Sequence, residues 1–332
     1  MPKMQIHVPI SPTPSFFTMV HMLAESIRSF AGEFSDARIV VSIGEDVEPF
    51  DIEHVRPELE PYGIEWRWTD RDQFRRYSYF ATGLDRWAEP FDCDYVVMAD
   101  ADILIVGALD DLTGFLPTRR SVAGVIATKP PFTARGVGDD ETRWPELYRA
   151  AGLTPPPFEF PIPGHGTHYP VSGIANAPAY YNFGFVAGTN EAMNAIRESF
   201  HEDYLVADEF MQSVVAAQAG LGLSITRHQL DAAGLPLRYN FWSQDKYLAN
   251  FADDARDIRV LHYLNGPFKK HGDTETVGHV EDWVAARTDA SDPVERLLVD
   301  ELSKVLTRIR QRMDAVRAPG RAPAALASPN LD

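Results

Sequence analysis

The chain predicts an α/β fold built on a mostly parallel sheet, and two observations carry that expectation. Strand-like and helix-like segments alternate from the first residues onward, the pattern of a sheet with helices on its faces. Two carboxylates, Asp100 and Asp102, then stand between two short apolar runs at the point where a strand should end. In open α/β sheets ligands bind beyond the carboxyl ends of strands, so this pair lies where chemistry is expected.

Residues 5–10 read as the first strand, closed by the Pro- and Ser-containing turn at residues 11–15. Residues 16–30 carry apolar positions at helical spacing, and residues 37–43 are β-rich again up to Gly44. Residues 63–68 give a third strand, followed by a polar and aromatic helix over residues 70–87. The runs 95–98 and 103–106 flank the carboxylates. Residues 129–178 then change character, with many Pro, Gly, His and aromatic residues, and read as a long loop on the acceptor side of a site. A strand resumes at residues 180–186, where Gly184 implies close backbone approach. Helices are expected over 192–200 and 208–219, and a late strand over 259–263. Residues 1–280 are thus expected to form one domain. Within residues 281–316, Val294, Leu298, Leu302, Val305, Ile309 and Val316 make one stripe of a C-terminal amphipathic helix, a candidate homodimer surface. The Ala- and Pro-rich tail 317–332 is expected to be disordered.

Composition narrows the function classes. A net charge of −17 argues against a general nucleic-acid binder, which normally shows a basic face. Cys93 is the only cysteine, so intrachain disulfides and zinc–thiolate sites are excluded and a cytoplasmic setting fits. No run reaches transmembrane length, which leaves at most peripheral membrane contact. Arg308, Arg310, Arg312 and Arg317 near the end of the last helix are explained by favourable placement at a helix C-terminus.

Asp100 and Asp102, at i, i+2 spacing, can either hydrogen-bond a turn or turn together toward a bound cation. His262 ends an apolar strand, and Asp, Asp and His together make a sensible Mn²⁺ site with room for phosphate oxygens. Lys269 and Lys270 follow through a Gly-Pro turn, where an ammonium can meet a diphosphate. His165 and His168 lack an evident third ligand and read as part of a flexible loop rather than a second metal site.

Taken in order, Asp100-Ala101-Asp102, Tyr181-Asn182-Phe183-Gly184, Asp208-Glu209, Leu235-Pro236-Leu237-Arg238-Tyr239-Asn240 and His262 to Lys269 resemble the motifs of glycosyltransferase family 8. The resemblance spans residues 5–272. It implies the GT-A fold and a Mn²⁺- or Mg²⁺-dependent, retaining transfer of a sugar from a nucleotide-diphosphate sugar, with UDP-sugars favoured, to a hydroxyl acceptor. By that resemblance Asp100, Asp102 and His262 hold the metal, and Asp208 and Glu209 are the catalytic candidates. Ala101, Asn182, Gly184, Gly266 and Lys269 are expected around the donor, with Arg76 or Arg86 as the arginine that precedes the carboxylate pair. The chain departs from the family in carrying Glu209 where a Gln is usual, and Pro9-Ile10-Ser11 where an acidic nucleobase contact is usual. The rival readings are a sugar nucleotidyltransferase, for which residues 11–15 lack a glycine- and Arg/Lys-rich phosphate loop, and a catalytically silent sugar-nucleotide or glycan binder of the same fold.

Overall fold

The computed structural model describes residues 2–163, 174–264 and 274–317. Strand β1 (Met4–Ile10) leads into helix α1 (Pro14–Phe30), which starts where Thr13 accepts a hydrogen bond from the Phe16 amide and Pro14 presets the first turn. Strand β2 (Arg38–Ile43), a short helix α2 (Ile52–Val55) and strand β3 (Glu65–Trp68) follow. The single helix expected over residues 70–87 is two, α3 (Arg71–Tyr77) and α4 (Tyr79–Asp85). Ser78 between them sits at φ 54°, a left-handed conformation that a continuous helix cannot contain.

Strands β4 (Tyr95–Ala99) and β5 (Ile103–Ile105) flank the carboxylate pair, and β6 (Ser121–Ile126) comes next. The segment expected to be one long loop contains regular elements. It holds α5 (Asp140–Ala150), capped by Asp139 and anchored by buried Trp144, Leu147 and Tyr148, and a small hairpin of β7 (Phe160–Pro161) and β8 (Asn176–Ala177). His165 and His168 lie outside the described residues. Strand β9 (Tyr181–Thr189) is followed by α6 (Asn190–Met211) and α7 (Ala216–Arg227). The helix break expected before Asp208 falls instead at Gln212, whose φ of 46° ends α6 after Met211. Asp208 is therefore in a last turn, not at a helix start.

The remainder comprises β10 (Asp231–Gly234), β11 (Phe241–Trp242), α8 (Asp245–Asn250), α9 (Ala252–Ala255), β12 (Val260–His262), α10 (Val277–Ala285) and α11 (Pro293–Arg317). The main sheet has the order β10-β6-β9-β4-β1-β2-β3. Every pairing in it is parallel except those of β9, which runs against β4 and β6. A second sheet, β11-β12-β5, branches from the end of β4.

One core joins α1, α10 and α11 to one face of the sheet, and a second joins α5, α6 and α7 to the other. In α11, Val294, Leu298, Leu302, Val305 and Ile309 are buried, each worth about 1.5–3 kcal/mol relative to exposure, while Val316 is exposed. The helix packs on α1, α8 and α10. The stripe considered as a dimer surface is thus spent within the chain. Its arginines are also engaged: Arg312 reaches the buried carboxylate of Glu25 at 2.7 Å, and Arg310 pairs with Glu281 at 2.6 Å. These pairs, rather than the helix end alone, account for two of the four arginines. No helix among the described residues is long and apolar enough to cross a membrane.

Candidate active site

The expected carboxylate pair is built by the junction of the two sheets. Strand β4 ends at Ala99, and the Asp100 amide is tied to the Gly184 carbonyl of the neighbouring antiparallel β9 at 3.2 Å. Ala101 between the two carboxylates is buried. The chain then enters β5, which pairs with β12 so that His262 lies opposite Ile103, and the Tyr263 amide bonds the Asp102 carbonyl. This register carries His262, distant in sequence, to the carboxylates. Asp100, Asp102 and His262 each offer a ligand atom, and all three atoms lie within 4.8 Å of one another.

His262 is 4% exposed, and both of its ring nitrogens are engaged. Nε2 stands 3.0 Å from Asp102 Oδ2, and Nδ1 stands 3.1 Å from Asn240 Oδ1. A chain of obligatory donors settles the tautomer. The Gly184 N–H can only donate, and it donates to Asn182 Oδ1 at 2.8 Å. The Asn240 amide that meets the same oxygen at 2.8 Å must therefore be its Nδ2. Asn240 then presents Oδ1 to His262, so His262 Nδ1 carries a proton and Nε2 faces the carboxylates. Gly184 leaves the room this requires: a Cβ there would lie 2.9 Å from Asn240 Nδ2, Asn240 Oδ1 and His262 Nδ1. The absent side chain at Gly184 thus gives this network its space. Trp242 covers the imidazole, with ring centroids 4.4 Å apart.

The charges are strongly coupled. Burial, then the neighbouring Asp102 charge, push the Asp100 carboxyl up, while His262 and Arg86 pull it down. For His262 burial disfavours the cation, but Asp102 and Asp100 outweigh it and the net shift is upward. With Nδ1 already protonated, the Nε2–Asp102 contact calls for a cation, either a second proton or a metal between the two. Two carboxylates and an oriented imidazole are a donor set suited to Mn²⁺.

Arg86, 5% exposed, lies beside Asp100 in a crevice of about 240 Å³ that is also lined by Tyr79, Phe183, Phe200 and Tyr204. Burial lowers its pKa to about 10, opposed by the Asp100 charge, and its Nη1 has no hydrogen-bond partner among the described residues. Its guanidinium lies 5.5 Å from the Phe183 ring. Arg76 is different. It is exposed on α3 with its guanidinium against Tyr77, and it does not line this crevice.

Asp208 is half-buried, and its charge, second to burial, raises the Tyr79 and Tyr204 hydroxyls that line the crevice. Glu209 is exposed. Successive residues on a helix point about 100° apart, so Glu209 is turned further toward solvent than Asp208. Gly266, Lys269 and Lys270 lie outside the described residues. Asn240 and Trp242 are the neighbours of His262 that the sequence did not single out by role. Asn240 stands in the quoted Leu235-to-Asn240 motif, but its partner His262 is visible only once β11 and β12 are paired.

No protein-family model matches the chain, and no curated protein matches it by sequence. Among solved structures, the galactosyltransferase LgtC in complex with donor and acceptor sugar analogues superposes with a TM-score of 0.51 at 15% identity, covering 91% of this chain and 95% of that one. An active site mutant of LgtC gives a TM-score of 0.50 at 17% identity, over 90% of this chain and 95% of that one. The bifunctional glycosyltransferase WbbM gives 0.52 at 14% identity, over 90% of this chain but 52% of its own length. The mixed sheet with flanking helices described above is thus the GT-A fold shared with these structures.

Proposed function

We propose that the chain is a metal-dependent glycosyltransferase of the family 8 type, moving a sugar from a nucleoside-diphosphate sugar, UDP-sugars favoured, to a hydroxyl acceptor with retention of configuration. The observation that carries this reading is the gathering of Asp100, Asp102 and His262 within 4.8 Å, beside buried Arg86, on a GT-A fold. Bound Mn²⁺ or Mg²⁺ would stabilise the negative charge that develops on the departing nucleoside diphosphate. Asp100 and Asp102 anchor the cation, and Asn240 holds His262 so that Nε2 completes the set. Arg86 presents an unpaired Nη1 in a crevice lined by Phe183, Phe200 and other apolar side chains, where a donor aimed at developing anionic charge is worth most. Half-buried Asp208, whose charge reaches the Tyr79 and Tyr204 hydroxyls, would hold sugar hydroxyls at that side of the crevice, ahead of exposed Glu209. Asn182 lends its oxygen to the His262 network and keeps its Nδ2 for a substrate hydroxyl. A cytoplasmic setting belongs to this proposal.

The test is a donor-hydrolysis screen over nucleotide sugars with and without Mn²⁺. Metal-dependent release of a nucleoside diphosphate, lost in Asp102→Ala, is the expected result. Donor binding without turnover for any sugar would sink the reading in favour of a silent binder. Pyrophosphate-dependent formation of a nucleoside triphosphate would replace it with a nucleotidyltransferase.

A further inference from the structure

Asn182 and Trp242 also line a second pocket of about 490 Å³, which meets the Arg86 crevice at Gln218 and whose lining includes neither Asp100, Asp102 nor Arg86. Lys129, Arg135 and Lys246 line it, and no carboxylate does among the described residues. In a chain of net charge −17, a site-sized cavity whose charged groups among the described residues are all positive needs a cause. The Arg135 side chain is exposed and makes no hydrogen bond or ion pair among the described residues. Tyr180 and Tyr247 provide buried walls, the latter joined to Thr128 by its hydroxyl at 3.1 Å. Trp242 belongs both to this pocket and to the cover of His262, so an acceptor held here adjoins the reacting centre.

Resting on the glycosyltransferase reading, we propose that the acceptor carries an oxyanion, a phosphate or a carboxylate, which Lys129, Arg135 and Lys246 bind in this pocket. Thr128, Asn182, Gln218 and Gln244 could serve a neutral or a charged acceptor alike, and it is the charged groups of the lining that favour an anion. Sugar hydroxyls need acceptors for their protons, whereas ammonium and guanidinium groups only donate. An oxyanion only accepts, and it matches a lining whose charged groups all donate. The donor diphosphate is served separately by the carboxylate-anchored cation and Arg86.

The experiment uses matched pairs of neutral and charged compounds: glucose with glucose 6-phosphate, galactose with galacturonate, and glycerol with glycerol 3-phosphate. Donor hydrolysis without acceptor is measured first and reports on the glycosyltransferase reading alone. Transfer is then followed by mass spectrometry for the wild type, Arg135→Gln and Lys246→Gln. At least one charged compound is expected to exceed its neutral partner tenfold or more in kcat/KM, with that ratio falling toward one in both variants. Which pair responds separates phosphate from carboxylate. Equal use of both members in every pair overturns the proposal. So does a variant effect that falls on the KM of the nucleotide sugar instead, since the cations would then belong to the donor. If no donor is hydrolysed, calorimetric titration of the same compounds and inorganic phosphate decides it. Tenfold tighter binding of a charged member, weakened by Arg135→Gln, sustains the anion site, and absence of any difference removes it.

Discussion

Asn240→Ala is the substitution that most directly tests how the tertiary structure prepares His262. Asn240 is fully buried, and its Oδ1 accepts the Nδ1 proton of His262 at 3.1 Å. Its loss leaves a buried imidazole N–H without an acceptor, a cost to folding of about 1–3 kcal/mol. It also frees the ring to rotate and to exchange tautomers, so the nitrogen facing Asp100 and Asp102 no longer carries a fixed lone pair. Loss of such an outer partner weakens metal binding about 10–100-fold, roughly 1.4–2.7 kcal/mol. Mn²⁺ affinity is read by electron paramagnetic resonance titration at fixed pH, and stability by urea denaturation. Gly184→Ala, whose Cβ would enter the space of Asn240 and His262, is expected to weaken Mn²⁺ in the same direction. A variant that loses stability but binds Mn²⁺ within about twofold of the wild type would refute the reasoning, because Asn240 would then act through packing alone.

Metal binding is expected to weaken as pH falls through the His262 pKa, which lies above the ordinary histidine value; competition with one proton gives about a tenfold rise in Kd per pH unit below it, and a flat profile would deny His262 a place among the ligands. Arg86→Ala removes the cation beside Asp100 and is expected to lower donor hydrolysis about 10²–10³-fold with the fold intact by circular dichroism; a rate near wild type would take Arg86 out of the site. Arg312→Ala strands the buried Glu25 carboxylate and is expected to cost about 3 kcal/mol in urea denaturation, whereas Arg310→Ala, which breaks a more exposed pair, should stay within about 0.5 kcal/mol; similar costs for both would contradict the assignment. Burial, then the charges of Arg67, Arg86 and Arg38, lower the pKa of His7 to about 3, and burial lowers that of His21 to about 4. Both lie below the unfolded value, so the unfolded chain binds more protons in acid. Stability should be complete above the unfolded pKa of about 6.5 and fall below it, by about 2 kcal/mol per histidine near pH 5. His7→Gln together with His21→Gln should flatten that slope.

Asp100 and Asp102 are legible in the sequence because charged pairs between apolar runs violate the pattern around them. The strands and helix up to Trp68 are legible for the opposite reason, since local periodicity and tertiary burial agree there. Where they disagree, the sequence misleads. The helix over residues 70–87 looks continuous because Ser78 carries no mark of its left-handed backbone. Asp208 resembles a helix start because Asp is a good N-cap, yet packing carries α6 three residues past it to Met211. Asp208 and Glu209 cannot be ranked from sequence, because which one faces the crevice depends on the rotation of α6 against the sheet.

The sequence alone determined the α/β alternation, the carboxylates at a strand end, the candidacy of His262 and the apolar stripe of the last helix. All of these are local patterns of burial and charge. Only the tertiary structure decided that the β5–β12 register brings His262 to Asp102, that Asn240 and Asn182 orient it, and that Arg86 rather than Arg76 lies beside Asp100. It also decided that the α11 stripe is covered by the chain's own helices. An apolar face must be buried and a buried charge must be met, and the sequence states both requirements. Which residue meets them depends on contacts between segments far apart in the chain, and no local pattern encodes those contacts.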